Sequence, residues 1–353
     1  NAPFDAYHLS KWSRSGQSAG DVYPWLQSTL LAKMQDTQIL SKLVDPRNKG
    51  QGGVGHALKD LAAYYLGKEA KDAQEQLQAT GKKWDQMSLQ DDEFVLYGGM
   101  DVILTDRLWH VLNQKVHQLN VEHLVDFDRR VQQIVTDMSD RGMRVDPIYA
   151  EDLYAELGRE EDGYRGMASA LGVSNVNSTK EVATALLLRG HELTERTPSG
   201  EYKVDKVVLG SIDDDVCRAV LGAKQANKAM KSWVAPLIEA GNSSDGRVHA
   251  TINPSNAVTY RMSISDPGLH QLPSNDHRVR SCLIADTGQT LISCDFSQVE
   301  LRVVAALARE QSMIDVFSAG GDIHSATAAR LYGDDFTSHQ RGLAKNTAFG
   351  VVY

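Results

Sequence analysis

Four residues near the end of the sequence combine positive charge with aromatic rings at a regular spacing. Arg341, Lys345, Phe349 and Tyr353 follow one another at intervals of four in the segment SHQRGLAKNTAFGVVY. On an α-helix such residues drift along one broad face, so the four side chains would form a row roughly 18 Å long. Two cations suit phosphate oxygens, and two rings can stack on a sugar or a base. The alternative is an amphipathic surface helix with its rings in the core and its cations in water.

A second candidate is the carboxylate of Asp295, which follows the apolar run LISC. The sequence predicts a buried strand over QTLISCDF and a helix over SQVELRVVAALARE. A carboxylate held between a strand and a helix is well placed to bind a metal ion. Ser297 and Glu300 also fit a capping box, which would give this stretch a purely structural role.

The elements that must position these residues follow from the hydrophobic pattern. A strand is predicted over RVHATINP, and Thr337 with Gln340 forms a second capping-box pattern at the start of the last helix. Adjacent glycines, Gly98 and Gly99, favour a kink or close packing within one helical stretch. Apolar periodicity predicts helices over VEHLVDFDRRVQQIVTDM, VCRAVLGAKQANKAMKSWVAPLIEA and DIHSATAARLYG.

Composition bounds the class of protein. The 353 residues exceed the size of most single cores, and 42% hydrophobic with 24% charged residues is typical of a globular protein without membrane spans. The net charge of −9 argues against attraction of the whole surface to nucleic acid. Residues 218–261 are nevertheless basic, with a net charge of +4. Three cysteines without metal-type spacing favour a reduced intracellular setting.

Several of these stretches together resemble the DNA polymerase I family (family A). DFSQVELR resembles its motif A, RGLAKNTAFGVVY its motif B, DIHSATAARLYG the start of its fingers, and YRMSISDPGLHQLP the stretch facing the primer–template minor groove. The resemblance implies two Mg²⁺ ions, held by Asp295 and the carbonyl of Phe296. Phosphoryl transfer needs such ions to neutralise charge on the phosphate oxygens.

The same resemblance assigns a nucleotide site. Arg341, Lys345 and His324 would hold the triphosphate of a deoxynucleotide, and Phe349 and Tyr353 would face its sugar and base. Glu300 would exclude a ribose 2′-hydroxyl, and a Phe at 349 goes with discrimination against dideoxynucleotides. The remaining nucleotide-site residues that it implies are Ser297 and Gln298.

Primer–template DNA is the second implied partner. Arg261 and Gln271 would donate to minor-groove acceptors that nearly all base pairs share, so they would test pair geometry without reading sequence. The chain departs from the family at His270, where Gln is usual, and at Tyr260, where Gly is usual; the role of His270 stays open. The other DNA contacts expected are Arg302, Asn177, Ser178, Lys180, Lys228 and Lys231.

The first third of the chain resembles a 3′-to-5′ proofreading exonuclease. NAPFDAYHL supplies Asn1, Phe4 and Asp5, and YGGMD supplies Tyr97 and Asp101. The two aspartates would bind divalent ions, and Tyr97 would orient the attacking water. The family's first exonuclease motif has no counterpart here, nor has motif C, so we expect this chain alone to be inactive in both reactions.

The implied fold is multidomain, α/β and α+β. We expect part of a ribonuclease H-like exonuclease domain (1–118), a helical thumb (119–238), part of an antiparallel-sheet palm (239–309) and part of helical fingers (310–353). We also expect a monomer without membrane contact, in the cytoplasm of a bacterial or phage-infected cell, with an organelle left open. Two alternatives remain: a non-catalytic DNA-binding relic and a stand-alone exonuclease of the same superfamily.

Overall fold

Two units make up the chain, one ending at Gln289 and one beginning at Thr290. The computed structural model describes residues 35–83, 86–88, 90–273 and 276–352. Asn1, Phe4, Asp5 and Tyr353 therefore lie outside the described residues.

Helices dominate the described part of the first unit. A 27-residue helix and a 20-residue helix follow each other around residue 120, as the periodicity predicts. In chain order the helices are α1 (Thr37–Val44), α2 (Leu58–Tyr65), α3 (Asp72–Ala79), α4 (Asp92–Gln118), α5 (Glu122–Arg141), α6 (Pro147–Ala170), α7 (Thr179–Leu188), α8 (Lys206–Ser211), α9 (Asp215–Lys228) and α10 (Ala235–Gly241).

Short 3₁₀ and π segments join some of these helices. A π-helical segment over Ala229–Val234 connects α9 to α10, so the long helix predicted over this stretch is confirmed with one local widening. The 3₁₀ segments are Lys49–Gln51, Lys68–Lys71, Leu269–Gln271 and Arg280–Cys282.

Five short strands form two antiparallel sheets. The strands are β1 (Met143–Val145), β2 (Arg247–Val248), β3 (Thr251–Asn253), β4 (Ser263–Ser265) and β5 (Leu283–Ile284). β1 lies between β2 and β5, with Met143 opposite Val248 and Val145 opposite Leu283. β3 and β4 pair with Thr251 opposite Ser265. The strand predicted over RVHATINP is therefore confirmed, divided between two sheets.

Separate apolar clusters stabilise the helices of this unit. Leu108 and Leu112 of α4 pack with Leu40 of α1 and Leu61 of α2. A second cluster joins α6, the π-helical segment and the β2–β1–β5 sheet. A third joins α7 to α9. The fully buried leucines contribute about 1.5–3 kcal/mol each to folding.

Gly98 and Gly99 lie inside the uninterrupted α4, so one helix runs through both of them. Among the described residues, a Cβ at either position would meet nothing within 4 Å. The kink or close packing expected at this pair stays a prediction.

The second unit contains four helices in its described residues. They are α11 (Val299–Ala308), α12 (Gln311–Ser318), α13 (Ile323–Tyr332) and α14 (Ser338–Val352). α13 and α14 pack together, with Ala328 and Ala344 fully buried. Small side chains at such a contact let two helices approach closely.

The strand predicted over QTLISCDF is wrong. Residues 290–297 lie in no strand, and Ile292 and Phe296 are 83% and 81% exposed. An extended apolar segment forms a strand only when a neighbouring strand accepts its backbone hydrogen bonds. Among the described residues no strand is hydrogen-bonded to it.

Across the part of the chain that the structure describes, no helix is long and apolar enough to cross a membrane.

Candidate active site

The cationic–aromatic helix begins where the sequence predicts. The Thr337 hydroxyl accepts a hydrogen bond from the Gln340 backbone N–H at 3.2 Å, and the Gln340 side-chain oxygen accepts one from the Thr337 N–H at 2.8 Å. This capping box satisfies two N–H groups at the start of α14. It thereby fixes the start of α14 three residues before Arg341.

Arg341 is held in place by the first turn of the neighbouring helix. Its Nε and Nη2 donate to Oδ2 of Asp322 at 2.8 and 2.6 Å, and Nε also donates to the Ser325 hydroxyl at 3.1 Å. Asp322 is at the same time the N-cap of α13, accepting from the backbone N–H groups of His324 and Ser325. One carboxylate therefore links the start of α13 to the predicted phosphate-binding arginine.

The electrostatics of Asp322 reflect this double role. Burial raises the pKa of its carboxyl, but hydrogen bonds from Ser325, Arg341 and the His324 backbone outweigh burial and hold the pKa at about 2. The group is ionised at neutral pH. It occupies the Nε side of the guanidinium and leaves Nη1 without a hydrogen bond to Asp322.

His324 lies beneath α14, at the start of α13. The residue is 5% exposed, and its Nδ1 is buried without a hydrogen-bond partner among the described residues. Burial lowers its pKa, Asp322 raises it, and the positive charges of Arg341 and Lys345 lower it again. The imidazole is therefore biased toward its neutral form, in which one ring nitrogen donates and the other accepts.

Phe349 completes the described part of this face. Its ring centroid is 5.8 Å from that of His324, with an interplanar angle of 47°. Lys345 lies between Arg341 and Phe349 in sequence and is exposed. The structure therefore brings Arg341, Lys345, His324 and Phe349 together near the N-terminal end of α13. We name this group the α13–α14 site.

The segment around Asp295 is placed differently from the prediction. Asp295 and Phe296 are exposed and precede α11 without forming a strand. The capping box of Ser297 and Glu300 is wrong, because Gln298, at φ 53°, is the N-cap and α11 begins at Val299. The Gln298 side-chain oxygen instead accepts a hydrogen bond from the Ile323 N–H at 3.2 Å. Gln298 therefore connects the Asp295 segment to the start of α13.

Asp295 and Phe296 offer the type of ligand atom that magnesium prefers, but the described residues offer too few such ligands for a complete site. A carboxylate and a backbone carbonyl are oxygen ligands of the type that Mg²⁺ prefers. In the described part of the chain, no group of three or more His, Cys, Asp or Glu residues could hold a metal ion. Asp295 and Phe296 would thus supply part of a coordination shell.

Arg302 on α11 makes two local contacts. Its Nε donates to the Ser297 carbonyl at 2.9 Å, and its guanidinium lies 4.5 Å from the Phe317 ring centroid of α12. These contacts hold the start of α11.

The predicted minor-groove residues lie on and after a hairpin loop. Arg261 lies two residues before β4, and His270 and Gln271 lie in a 3₁₀ segment; all three are exposed. Tyr260 has φ 55°, in the left-handed region, at the position where the family usually has Gly. Its hydroxyl donates to the Lys42 carbonyl of α1 at 3.1 Å.

The expected contacts with the DNA backbone lie in two places, at the start of α7 and at the end of α9. Ser178 is the N-cap of α7, accepting from the Glu181 N–H at 3.2 Å. Lys228 places its ammonium 5.2 Å from the Trp233 ring centroid at the end of α9. Exposed positions are also occupied by Asn177, Lys180 and Lys231.

The exonuclease candidates Tyr97 and Asp101 lie one turn apart on α4. The Asp101 carboxylate forms an ion pair with Lys59 of α2. Burial and the Asp101 carboxylate raise the pKa of the Tyr97 phenol. No local pattern in the sequence indicates this role of Lys59.

Comparison with known proteins identifies the family of this chain. The family model described as DNA polymerase family A matches residues 149–353. The chain belongs to DNA polymerase family A.

DNA polymerases from phages and bacteria are similar to this sequence over most of its length. The chain is 36% identical to the DNA polymerase of Mycobacterium phage D29 over 343 residues, which cover 92% of this chain and 56% of that protein. It is 34% identical to the DNA polymerase of Mycobacterium phage L5, with 92% and 55% covered. With DNA polymerase I of Chloroflexus aurantiacus the identity is 30%, over 85% of this chain and 34% of that protein.

A solved structure shows the same fold. The chain is similar to the POL domain of Pol1 from M. smegmatis, in complex with DNA primer–template and dNTP, with a TM-score of 0.70 and 25% identity. The match covers 90% of this chain and 53% of that one. The chain thus spans about half the length of the phage relatives and of this structure.

Two residues of the α13–α14 site in this family A chain are not predicted from the sequence. They are Asp322 and Ser325, which bind Arg341. A signal was present, because an Asp directly before a helical pattern is a strong N-cap candidate. Its second role needs α14 beside it, which no local pattern reports.

Proposed function

We propose that the full-length protein is a DNA-templated DNA polymerase that adds deoxynucleotides to a primer 3′ end. The observation that carries this proposal is the α13–α14 site. Two cations, an imidazole and a ring meet there, and these groups suit the phosphates and the sugar of a deoxynucleoside triphosphate. Membership of family A and the similarity to a polymerase domain bound to primer–template and dNTP support it.

Each residue has a role in this proposal. Arg341, oriented by Asp322, binds phosphate oxygens through the part of its fork that Asp322 leaves open. Lys345 adds a mobile point charge, and His324 a neutral hydrogen-bonding group. Phe349 and Tyr353 face the sugar and base, Ser297 and Gln298 line the same pocket, and Glu300 excludes a 2′-hydroxyl.

Asp295 and the Phe296 carbonyl are the proposed magnesium ligands. When bound, Mg²⁺ ions neutralise charge on the phosphate oxygens as phosphoryl transfer proceeds. Asp295 fixes where that charge is neutralised relative to the triphosphate cations.

We also propose the finer organisation of the chain. Residues 1–118 belong to an exonuclease-type domain, 119–238 to a thumb, 239–309 to a palm and 310–353 to fingers. Asn177, Ser178, Lys180, Lys228 and Lys231 hold the duplex backbone, while Arg261, His270, Gln271 and Arg302 contact the strands near the primer end. The protein acts as a monomer in the cytoplasm of a bacterial or phage-infected cell.

The 353-residue chain by itself is proposed to be inactive, both in primer extension and in removal of 3′ nucleotides. Asp295 lies in no group of three or more potential metal ligands among the residues described.

The test measures primer extension by the full-length protein carrying Arg341→Ala. We expect KM for the deoxynucleotide to rise about ten- to a hundredfold, because a charge-assisted contact with phosphate is lost. Arg330→Ala is the matched control, since Arg330 is an exposed cation toward the other end of α13. Equal KM values for the two variants would contradict the proposed role of Arg341.

A further inference from the structure

The predicted exonuclease site holds a lysine that the motif does not contain. Lys59 of α2 reaches α4, where its Nζ forms an ion pair with Oδ1 of Asp101. The Lys59 side chain is 11% exposed and that of Asp101 is 31% exposed. The same ammonium lies 4.7 Å from the centroid of the Tyr97 ring. One cation therefore contacts both α4 residues assigned to metal binding and water orientation.

The ion pair between Lys59 Nζ and Asp101 Oδ1 compensates the charges of both groups. Lys59 Nζ and Asp101 Oδ1 are both buried, and neither has a hydrogen-bond partner of suitable geometry among the described residues. A buried ion that loses its counter-ion keeps its desolvation cost and loses the attraction that offsets it. Lys59 and Asp101 therefore each depend on the other. The ring of Tyr97 adds a favourable electrostatic contact for the ammonium.

A divalent cation does not fit beside this pair. It would have to share one carboxylate with an ammonium already in contact with it, and like charges so close repel strongly in a partly buried setting. Moving Lys59 away would leave its ammonium without the partner it now has. Around Asp101, as elsewhere in the described ranges, no group of three or more His, Cys, Asp or Glu residues is present to outweigh this cost.

We propose that Lys59 supplies the positive charge at Asp101, in the place of a divalent metal ion, and that Asp101 is not a metal ligand in this protein. The Lys59–Asp101–Tyr97 cluster then joins α2 to α4 as a structural contact. This inference departs from the exonuclease role expected from the YGGMD motif. It is independent of the proposed polymerase function, because none of the three residues belongs to the α13–α14 site.

The test compares Mn²⁺ binding by the 353-residue chain with that of its Asp101→Asn variant, followed by electron paramagnetic resonance. We expect the same number of bound ions and the same affinities in both proteins. Loss of one bound ion, or a weakening of about tenfold or more in one site, would overturn the proposal.

A second measurement tests whether a divalent ion can bind at Asp101 once the Lys59 ammonium is removed. In Lys59→Met the carboxylate lacks its partner, so Mn²⁺ should raise the melting temperature of this variant by more than that of the unaltered chain. The extra rise should vanish in the double variant Lys59→Met/Asp101→Asn. Lys71→Met is the matched control, because Lys71 pairs with Asp60 in the same region and is 39% exposed.

The outcomes separate cleanly. Stabilisation of the unaltered chain by Mn²⁺ that depends on Asp101 would refute the proposal, as would a Lys59→Met variant that folds and gains no more from the ion than the unaltered chain does. If Lys59→Met does not fold, the comparison of the unaltered chain with Asp101→Asn decides alone. Neither result bears on the proposed polymerase function, which is tested separately by primer extension.

Discussion

Single carboxylates organise two parts of this molecule by binding an arginine and a helix start together. Asp322 does so at the α13–α14 site, and Asp214 does so at the start of α9. Asp214 accepts from Arg189 Nε at 2.9 Å, His191 Nε2 at 2.9 Å and the Val216 N–H at 2.8 Å. It is 8% exposed, so these bonds replace nearly all of its hydration.

Acid should remove the contribution of Asp214 to stability. Burial raises the pKa of its carboxyl, but the bonds from Arg189, His191 and Val216 hold it at about 2, below the ordinary 3.8. A depressed pKa means that the stabilisation is complete above about pH 4 and is lost as the pH falls toward 2. We expect Asp214→Ala to cost about 2–4 kcal/mol of unfolding free energy at pH 7.

Chemical denaturation of the chain and the variant between pH 7 and pH 2 measures this difference. The gap between the two proteins should narrow by about 2 kcal/mol as the pH falls. The control is Asp213→Ala, since that side chain is 96% exposed and its gap should stay small throughout. A gap for Asp214→Ala that stays constant with pH would contradict the account.

At the scale of elements, the β3–β4 hairpin is attached to α1. The loop between the strands contacts Lys42 twice: the Tyr260 hydroxyl donates to the Lys42 carbonyl at 3.1 Å, and Lys42 Nζ donates to Ser255 Oγ at 3.2 Å. Burial of Lys42 lowers its pKa, against the opposite effect of Asp36 and Asp128. The loop that carries Arg261 is therefore positioned by a helix more than two hundred residues earlier in the chain.

Tyr260→Phe tests this attachment, because it removes the hydroxyl and keeps the ring. We expect amide hydrogen exchange in residues 255–262 to accelerate about fivefold, the effect of one hydrogen bond worth about 1 kcal/mol. Exchange in α1 around the buried Leu40 should not change. Tyr202→Phe is the control, since that ring packs on Arg196 elsewhere. Unchanged exchange in residues 255–262 would show that the hydroxyl does not hold the loop.

Local patterns predicted the elements whose signals are local. The capping box of Thr337 and Gln340 and the periodicity of α13 and α14 are complete within about fifteen residues each, so the sequence alone located them. The strand over QTLISCDF was predicted from its apolar run and is wrong. A strand needs a hydrogen-bonded neighbour, which a run of residues cannot report.

Contacts between distant residues escaped prediction for a related reason. Lys59 and Asp101 lie on different helices, and Tyr260 reaches Lys42 across 218 positions. Gln298 looked like the interior of a capping box and instead binds the start of α13. Each of these residues is chemically ordinary in its own segment and gains its role from packing.

At the scale of the whole molecule, the chain is a family A DNA polymerase sequence that spans about half of its phage relatives. Its two units divide the proposed functions. The unit ending at Gln289 carries the expected DNA contacts other than Arg302, and the Lys59–Asp101 pair. The unit beginning at Thr290 carries Arg302, Asp295 and the α13–α14 site.

The most direct test of polymerase function is Mg²⁺-dependent primer extension by the full-length protein carrying Asp295→Ala. If Asp295 holds the metal ions that neutralise the transferred phosphate, incorporation should fall by about a thousandfold. Asp335→Ala, an exposed carboxylate in the same unit, should retain the activity of the unaltered protein. Incorporation by Asp295→Ala at the unaltered rate would contradict the assignment of this chain to DNA synthesis.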